Sequence, residues 1–282
     1  MQFNKENTYF VPIEITPPKW IEFPNFREIW DSRDLLYFLI KRDLKVRFQQ
    51  TAIGVLWIVL QPIIQMLIFY LVLGILVKVP TGDIPYPIYY LSGFVVWQLF
   101  TQIVNTSAYS LLGNINIIVK IYFPRLTLPL STTIGALIDF LISFCLLELL
   151  LYFGGFAINL RYAYIPVLLL LTLLYSFGIG LIFGALMVVF RDTKNLLAFI
   201  LQIWMFLTPI LYPISLVPEK YQILFYINPL TGLIEAFRWV FLQTDSLPSL
   251  TYFLVSFVMA FVCLIVGAIS FRAMENRIAD VM

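Results

Sequence analysis

Six stretches of the chain each run well past 18 residues with no more than two charged side chains: 52–77, 88–112, 126–153, 162–190, 196–217 and 249–271. About 18 apolar residues in a helix suffice to cross a hydrocarbon core of about 30 Å. Composition agrees with this pattern. Of 282 residues, 61% are hydrophobic and 12% charged, against roughly 45–50% and about 25% in an average soluble domain. One water-facing domain of this size could not hide so much apolar surface. The pattern predicts an all-α integral membrane protein with six transmembrane helices. Histidine is absent, which removes the commonest metal ligand and the usual neutral-pH base. Cys145 and Cys263 lie inside apolar runs, so neither a zinc cluster nor a structural disulfide is indicated.

The remaining segments divide the chain further. Residues 1–30 mix Pro12, Pro17, Pro18 and Pro24 with charges and aromatics, carry no apolar signal core, and read as a cytosolic arm. Residues 31–50 read as an amphipathic helix at the membrane surface, with Leu35, Leu36, Phe38, Leu39 and Ile40 in its apolar half. Lys41, Arg42, Lys45 and Arg47 form its basic half. The membrane domain spans 51–274 and a short cytosolic tail 275–282. Within it, residues 221–242 are apolar but broken at Asn228-Pro229 and carry Glu235 and Arg238. They read as two short helices that enter the membrane and return on the same side; the alternative is a seventh span kinked at the proline. With six spans, fourteen of the eighteen lysines and arginines fall on the side of the termini and four (Lys78, Arg161, Lys220, Arg238) on the other. The excess of basic residues puts both termini in the cytoplasm.

Several side chains inside this frame ask for a reason. Trp57, Gln61 and Gln65 follow at four-residue spacing along one helix face, and Gln98, Gln102 and Asn105 form a second polar strip, with Gln202 alone in the fifth span. Buried amides are costly in hydrocarbon unless paired or wet. They fit interhelical hydrogen bonding, or a hydrated path for a hydroxyl-rich polymer. Asp139 and Glu148 in the third span fit structural or interfacial roles better than a proton relay, being nine residues apart with no basic partner in the membrane. Glu235 and Arg238, three residues apart beside Trp239, fit an ion-paired lid over an exit or a plain connector. The connection GNINIIVKIYFPR (113–125) reads as a short helix that docks on another protein, because a plain loop rarely carries that much apolar surface.

Three stretches carry a family resemblance together: LLYFLIKRDLKVRFQQTAIGVLWIVLQP (35–62), NIIVKIYFPRLTLPLS (116–131) and INPLTGLIEAFRW (227–239). With FRD at 190–192, they resemble type-2 ABC transporter permeases that export polysaccharides, the O-antigen and teichoic-acid exporters among them. The likeness runs from about Leu35 to Arg272 and covers the Pro-rich arm least. It implies a pair of identical subunits in the cell inner membrane, with two separate ATPase subunits, moving an undecaprenyl-diphosphate-linked polymer from the cytosolic to the outer leaflet. It assigns 31–50 as the interface helix and 114–123 as the coupling helix, with Asn114, Ile117, Lys120, Tyr122, Phe123 and Arg125 meeting the ATPase. Residues 221–242 become gate helices, with Glu235, Arg238 and Trp239 at the gate. The channel would lie between subunits along the first and fifth spans, with Trp57, Gln61, Gln65 and Gln202 as lining candidates. Lys41, Arg42, Lys45 and Arg47 fit either attraction of the lipid diphosphate or ordinary anchoring.

No G-x-x-x-x-G-K-[ST] loop occurs, so ATP and magnesium are expected on the partner and no cofactor on this chain. Nucleic acid is not an expected partner; membrane lipids are. A multispan glycosyltransferase or acyltransferase acting on polyprenyl lipids is the competing class, but its loops would need a base or metal-binding carboxylates. Only scattered Asp83, Asp192, Glu219 and Asp245 are available. A proton-coupled carrier would need Asp139 and Glu148 to matter.

Overall fold

The computed structural model describes the backbone of residues 26–49, 56–118, 120, 123–190, 192–244 and 247–281, and the side chains of that set except at 26, 27, 29, 47–49 and 275–281. Among the described residues every element is helical. Two short helices come first, α1 (Phe26–Asp31) and α2 (Arg33–Gln49), then α3 (Leu56–Phe69), which continues as a π-helix over Tyr70–Leu76. There follow α4 (Tyr86–Gly113), the four-residue α5 (Ile115–Ile118), α6 (Thr127–Phe153), a 3-10 turn (Leu160–Tyr164) and α7 (Ile165–Val189). The chain ends with α8 (Thr193–Phe206), α9 (Glu219–Ile227), α10 (Pro229–Phe241) and α11 (Leu250–Val281).

Among the described residues, four helices are long and apolar enough to cross a membrane: Leu56–Leu76, Thr127–Phe153, Leu160–Val189 and Leu250–Met274. Of the two remaining expected spans, 88–112 is covered by one continuous helix and 196–217 only in part. The first lies within α4, whose 28 residues are long enough, but Gln98, Gln102, Asn105 and a series of hydroxyls make it more polar than a lipid-facing helix. It is instead the central helix, packed against α6 and α7, with Tyr90, Leu91, Phe100, Ile103 and Leu111 fully buried. Its polar strip faces α6: Ser143 Oγ donates to Gln98 Oε1 (3.0 Å) and Gln102 Nε2 to Asp139 Oδ2 (3.3 Å). Those amides therefore serve interhelical bonding, which offsets their desolvation.

The second expected span is not one helix. α8 stops at Phe206 after 14 residues, about 21 Å of rise. The chain then unwinds through 207–213, where Pro209 and Pro213 lack the backbone donor a helix needs.

The bundle is closed by α7 and α11, which share the most extensive helix–helix contact. A Cβ on Gly178 would run into the backbone of Cys263 and Leu264, and one on Gly267 into the carbonyl of Gly178. Glycine at both positions lets the two backbones touch. Helix α2 lies along α6 with Leu39 buried, while Tyr37, Phe38, Lys41 and Lys45 stay exposed.

Candidate functional site

At the end of α4 that begins with Tyr86, the unwound segment after α8 is held by side chains from three other elements. Away from water, backbone without helix or sheet must find its partners inside the protein. The Leu207 carbonyl accepts from Asn228 Nδ2 (3.1 Å), that of Pro209 from Arg238 Nη1 (2.5 Å), that of Ile210 from Arg238 Nη2 (2.9 Å), and that of Leu211 from Tyr86 Oη (3.0 Å). Tyr212 Oη donates back to the Phe206 carbonyl (2.6 Å).

Arg238 is the centre of this clamp. It is buried, its guanidinium lies 3.9 Å from the Tyr89 ring centroid, and Nη1 also reaches Glu235 Oε1 at 3.1 Å. The spacing in α10 brings Glu235 and Arg238 together one turn apart. The partners that most constrain the arginine are nevertheless carbonyls 28 and 29 residues away. Trp239 is half-buried, stacked by Arg161 at 4.7 Å, and Arg161 Nη1 bonds the carbonyls of Trp239 (3.3 Å) and Thr244 (2.9 Å).

Asn228 explains why the hairpin breaks where it does. Its Oδ1 caps α10 at the Leu230 amide (3.1 Å), and Pro229 occupies the first helical turn, where a missing N–H costs nothing. The same Oδ1 accepts from Trp204 Nε1 (3.0 Å), while Nδ2 also reaches Thr208 Oγ1 (2.9 Å). One buried amide thus ties the α9–α10 corner to the end of α8.

The opposite end of α4 carries a second cluster. Arg42 of α2 bonds Asp43 Oδ1 through Nε (2.9 Å) and Nη2 (2.6 Å), and Nη2 reaches Asn114 Oδ1 (2.8 Å). Asn114 sits at the C-cap of α4, donates to the Ser110 carbonyl (2.8 Å), and its own carbonyl starts α5. A groove of about 460 Å³ runs beside this contact, between Arg42, Asp43 and Val46 on one side and Gly113, Asn114, Asn116 and Ile117 on the other.

The other sequence-selected residues fall as follows. Lys120 is exposed, Ile117 and Arg125 are half-buried, and Phe123 is buried in this chain's own core rather than held outward for a partner. Tyr122 lies outside the described residues, as does the Arg47 side chain. Lys41 and Lys45 are exposed, so of the basic set Arg42 alone has described bonds to another helix. Trp57, Gln61 and Gln202 are exposed and Gln65 is half-buried; α3 packs on α4 and α6, whereas α8 packs on α4 and α7, so within one chain the four do not converge among the described residues. Sequence reasoning treated Asn228 only as a break and passed over Arg161, Tyr86 and Tyr89. Asn228 had a usable signal, an Asn-Pro pair opening an apolar helix; the others act across the fold.

Residues 34–242 match the ABC-2 type transporter family. The chain is 29% identical over 250 residues to an O-antigen export system permease protein RfbA of Klebsiella pneumoniae, covering 88% of this chain and 95% of the relative. A Myxococcus xanthus protein of the same description is 28% identical over 220 residues, 77% of this chain and 84% of the relative. The polysialic acid transport protein KpsM of Escherichia coli is 28% identical over 206 residues, 71% and 78% respectively. With the family match running across α2 to α10, and so across both clusters, the chain belongs to the ABC-2 type transporter family.

Proposed function

We propose that this chain is the membrane permease subunit of an ABC exporter for a polysaccharide, working as a pair of identical subunits with two separate ATPase subunits. The observation that carries this reading is the likeness to an O-antigen export permease across 88% of the chain. The cargo is a polymer joined to undecaprenyl diphosphate, carried from the cytosolic to the outer leaflet of the inner membrane. Six crossings follow if α4, and α8 with the unwound segment after it, pass through beside the four apolar helices. The fourteen-to-four distribution of basic residues then puts both termini in the cytoplasm. ATP and magnesium belong to the partner.

In this reading the 114–123 segment receives the ATPase's movement, offering Lys120 and Asn116 as exposed residues. Arg42 carries that movement to the interface helix through Asn114. The exposed faces of α3 and α8 meet their counterparts in the second subunit, where Trp57, Gln61 and Gln202 border the path. The buried clamp around Arg238 holds the α9–α10 gate to the end of α8.

The test is to purify the chain with its ATPase partner and reconstitute both in proteoliposomes. Lectin detection then follows the transfer of lipid-linked polysaccharide across the bilayer. ATP-dependent transfer requiring both proteins is expected. Product synthesis by this chain alone, or transfer indifferent to ATP, would overturn the proposal.

A further inference from the structure

The turn that joins α6 to α7, residues 154–164, is built the wrong way round for water. Phe156 packs on the core, Asn159 Oδ1 accepts from the Arg161 amide (2.8 Å), and the Arg161 guanidinium turns back over Trp239. Ile158 and Leu160 point outward instead, 77% and 94% exposed. A water-facing turn does the reverse, with its polar groups outside and its apolar ones covered. The two side chains are also held where they are, because the turn is clasped to the one between α10 and α11. Arg161 Nη1 bonds the carbonyls of Trp239 (3.3 Å) and Thr244 (2.9 Å), and Gln243 Nε2 donates to the carbonyl of Ala157.

The surroundings say what covers them. Arg161 is the sole charged residue between Glu148 and Arg191, and Glu148 is itself bonded by Tyr162 Oη (3.2 Å). On α6, Leu141, Leu149 and Phe153 stand at multiples of four residues and are all exposed; on α7, Tyr164, Val167 and Leu170 follow at three-residue spacing and are exposed too. Both stripes lie on helices of membrane-crossing length and apolarity, and both run into the turn. α6 has 27 residues, a rise of about 40 Å, which matches a bilayer with its headgroup regions. Its end at Phe153 therefore reaches the membrane interface. Exposed Tyr152 and Tyr164 flank the turn at that depth, where tyrosine is enriched.

We infer that the 154–164 turn is a lipid-binding surface, with Ile158 and Leu160 seated in the membrane interface and the end of α10 fixed at that depth through the clasp. In the six-span topology this is the outer leaflet. A water-facing protein partner matches less well. An interface of that kind sets a polar rim around its apolar centre, whereas this tip is bordered by further apolar helix surface and its one arginine is turned onto Trp239. The inference needs the membrane assignment alone and is the same for any cargo.

The experiment places an environment-sensitive nitrobenzoxadiazole label on Leu160→Cys in the full chain, reconstituted in nanodiscs of phosphatidylethanolamine and phosphatidylglycerol. Cys145→Ser removes the exposed native thiol, and Cys263 is buried. The reference is the same label on Asp83→Cys, an exposed charged position in the turn before α4. Both substitutions fall on exposed side chains, so the fold is kept. Two quenchers are compared: iodide in the water, and phosphatidylcholine carrying a nitroxide high on its acyl chain. The Leu160 label is quenched by the nitroxide lipid at least twofold more strongly than the Asp83 label, and by iodide at least twofold less. Iodide quenching equal to that at Asp83 would mean a water-facing tip, and quenching by neither agent a tip covered by protein, such as a second copy; either overturns the inference. The clasp has its own readout. Ile158→Ser together with Leu160→Ser loosens the seat, so amide exchange at 239–244 speeds up at least twofold while that of α7 is unchanged. Unaltered exchange at 239–244 would overturn the tie to α10.

Discussion

The two ends of α4 are each held by an arginine from another helix, and the two arginines do opposite things. At Tyr89 the guanidinium of Arg238 is buried, bonded to two carbonyls and a carboxylate, and stacked on an aromatic ring. At Asn114, 25 residues and about 37 Å along the helix, Arg42 is about 29% exposed and shares itself between an adjacent aspartate and one amide. The chemistry of the side chain is the same and the surroundings are not. In a dry site an arginine fork is part of the backbone's hydrogen-bond economy, and removing it strands several groups at once. In a wet site the same fork is weakly held and can break and reform. One end of the bundle is fastened and the other is latched.

Arg238→Met gives the sharpest test of the fastened end. It leaves the Pro209 and Ile210 carbonyls and the Glu235 carboxylate without their partner, and the expected loss is on the order of 3–5 kcal/mol. The measurement is the unfolding midpoint in nanodiscs, or the fraction of chain recovered monodisperse. Arg238→Lys should recover only a small part, because an ammonium lacks the planar fork that reaches two carbonyls at once. A fully stable Arg238→Met chain would end the contrast between the two arginines.

Gly232 tests the same end without touching charge. A Cβ there would strike the Tyr252 carbonyl and Ser256 Oγ, and Ser256 Oγ in turn bonds the Pro229 carbonyl (2.5 Å). Gly232→Val should therefore cost about 1–3 kcal/mol or more by the same unfolding measurement, because backbone cannot give way as a side chain can. Tolerance of valine at Gly113, which has open space around its Cβ position at the latched end, is the matching expectation. Intolerance at Gly113 and tolerance at Gly232 would reverse the assignment of the two ends.

Asn228→Ala comes next in size. It removes a helix cap and three further hydrogen bonds, one of them leaving Trp204 Nε1 unmet, for about 1–3 kcal/mol. Its loss should loosen the α9–α10 corner selectively, so faster amide exchange is expected at 207–212 and 228–232 than in α7 or α11. Uniform exchange throughout would mean that the corner is not a separate unit.

These residues also mark how far the sequence can be read. Long uncharged runs announce helices in a bilayer whatever their neighbours, so α3, α6, α7 and α11 were legible from composition alone. α4 was legible as a helix but not its place at the centre of the bundle, and the end of α8 was missed. Gln98 and Gln102 of α4 find their partners in Ser143 and Asp139 of α6, and the segment that Pro209 and Pro213 unwind after α8 finds its partners in Asn228, Arg238 and Tyr86. The Glu235–Arg238 pair was visible as local spacing. The pairing of Arg238 with carbonyls 28 and 29 residues away, and of Arg42 with an amide 72 residues away, is created only by the fold. Phe123 shows the limit from the other direction, since an apolar residue in a connection between helices can lie in the chain's own core.

Arg42→Ala carries the smallest expected change in stability, and for that reason says most about function. A half-exposed contact of this kind contributes less than about 1 kcal/mol, so the unfolding midpoint should scarcely move. If Arg42 transmits movement through Asn114, then Arg42→Ala and Asn114→Ala should each lower the amount of polymer exported per ATP hydrolysed. The double variant should be no worse than either, because both remove one contact. If Arg42 instead attracts the lipid diphosphate, Arg42→Ala should raise the substrate concentration needed for half-maximal export. Asn114→Ala would leave that concentration unchanged, and the two effects would add. Export at increasing ionic strength adds a further discriminator. Attraction of a diphosphate to an exposed cation fades over a Debye length of about 8–10 Å as salt rises, whereas a contact at 2.8 Å through an amide is screened far less. A strongly salt-sensitive wild type, together with an additive double variant, would take Arg42 out of the latch and return it to the basic patch with Lys41 and Lys45.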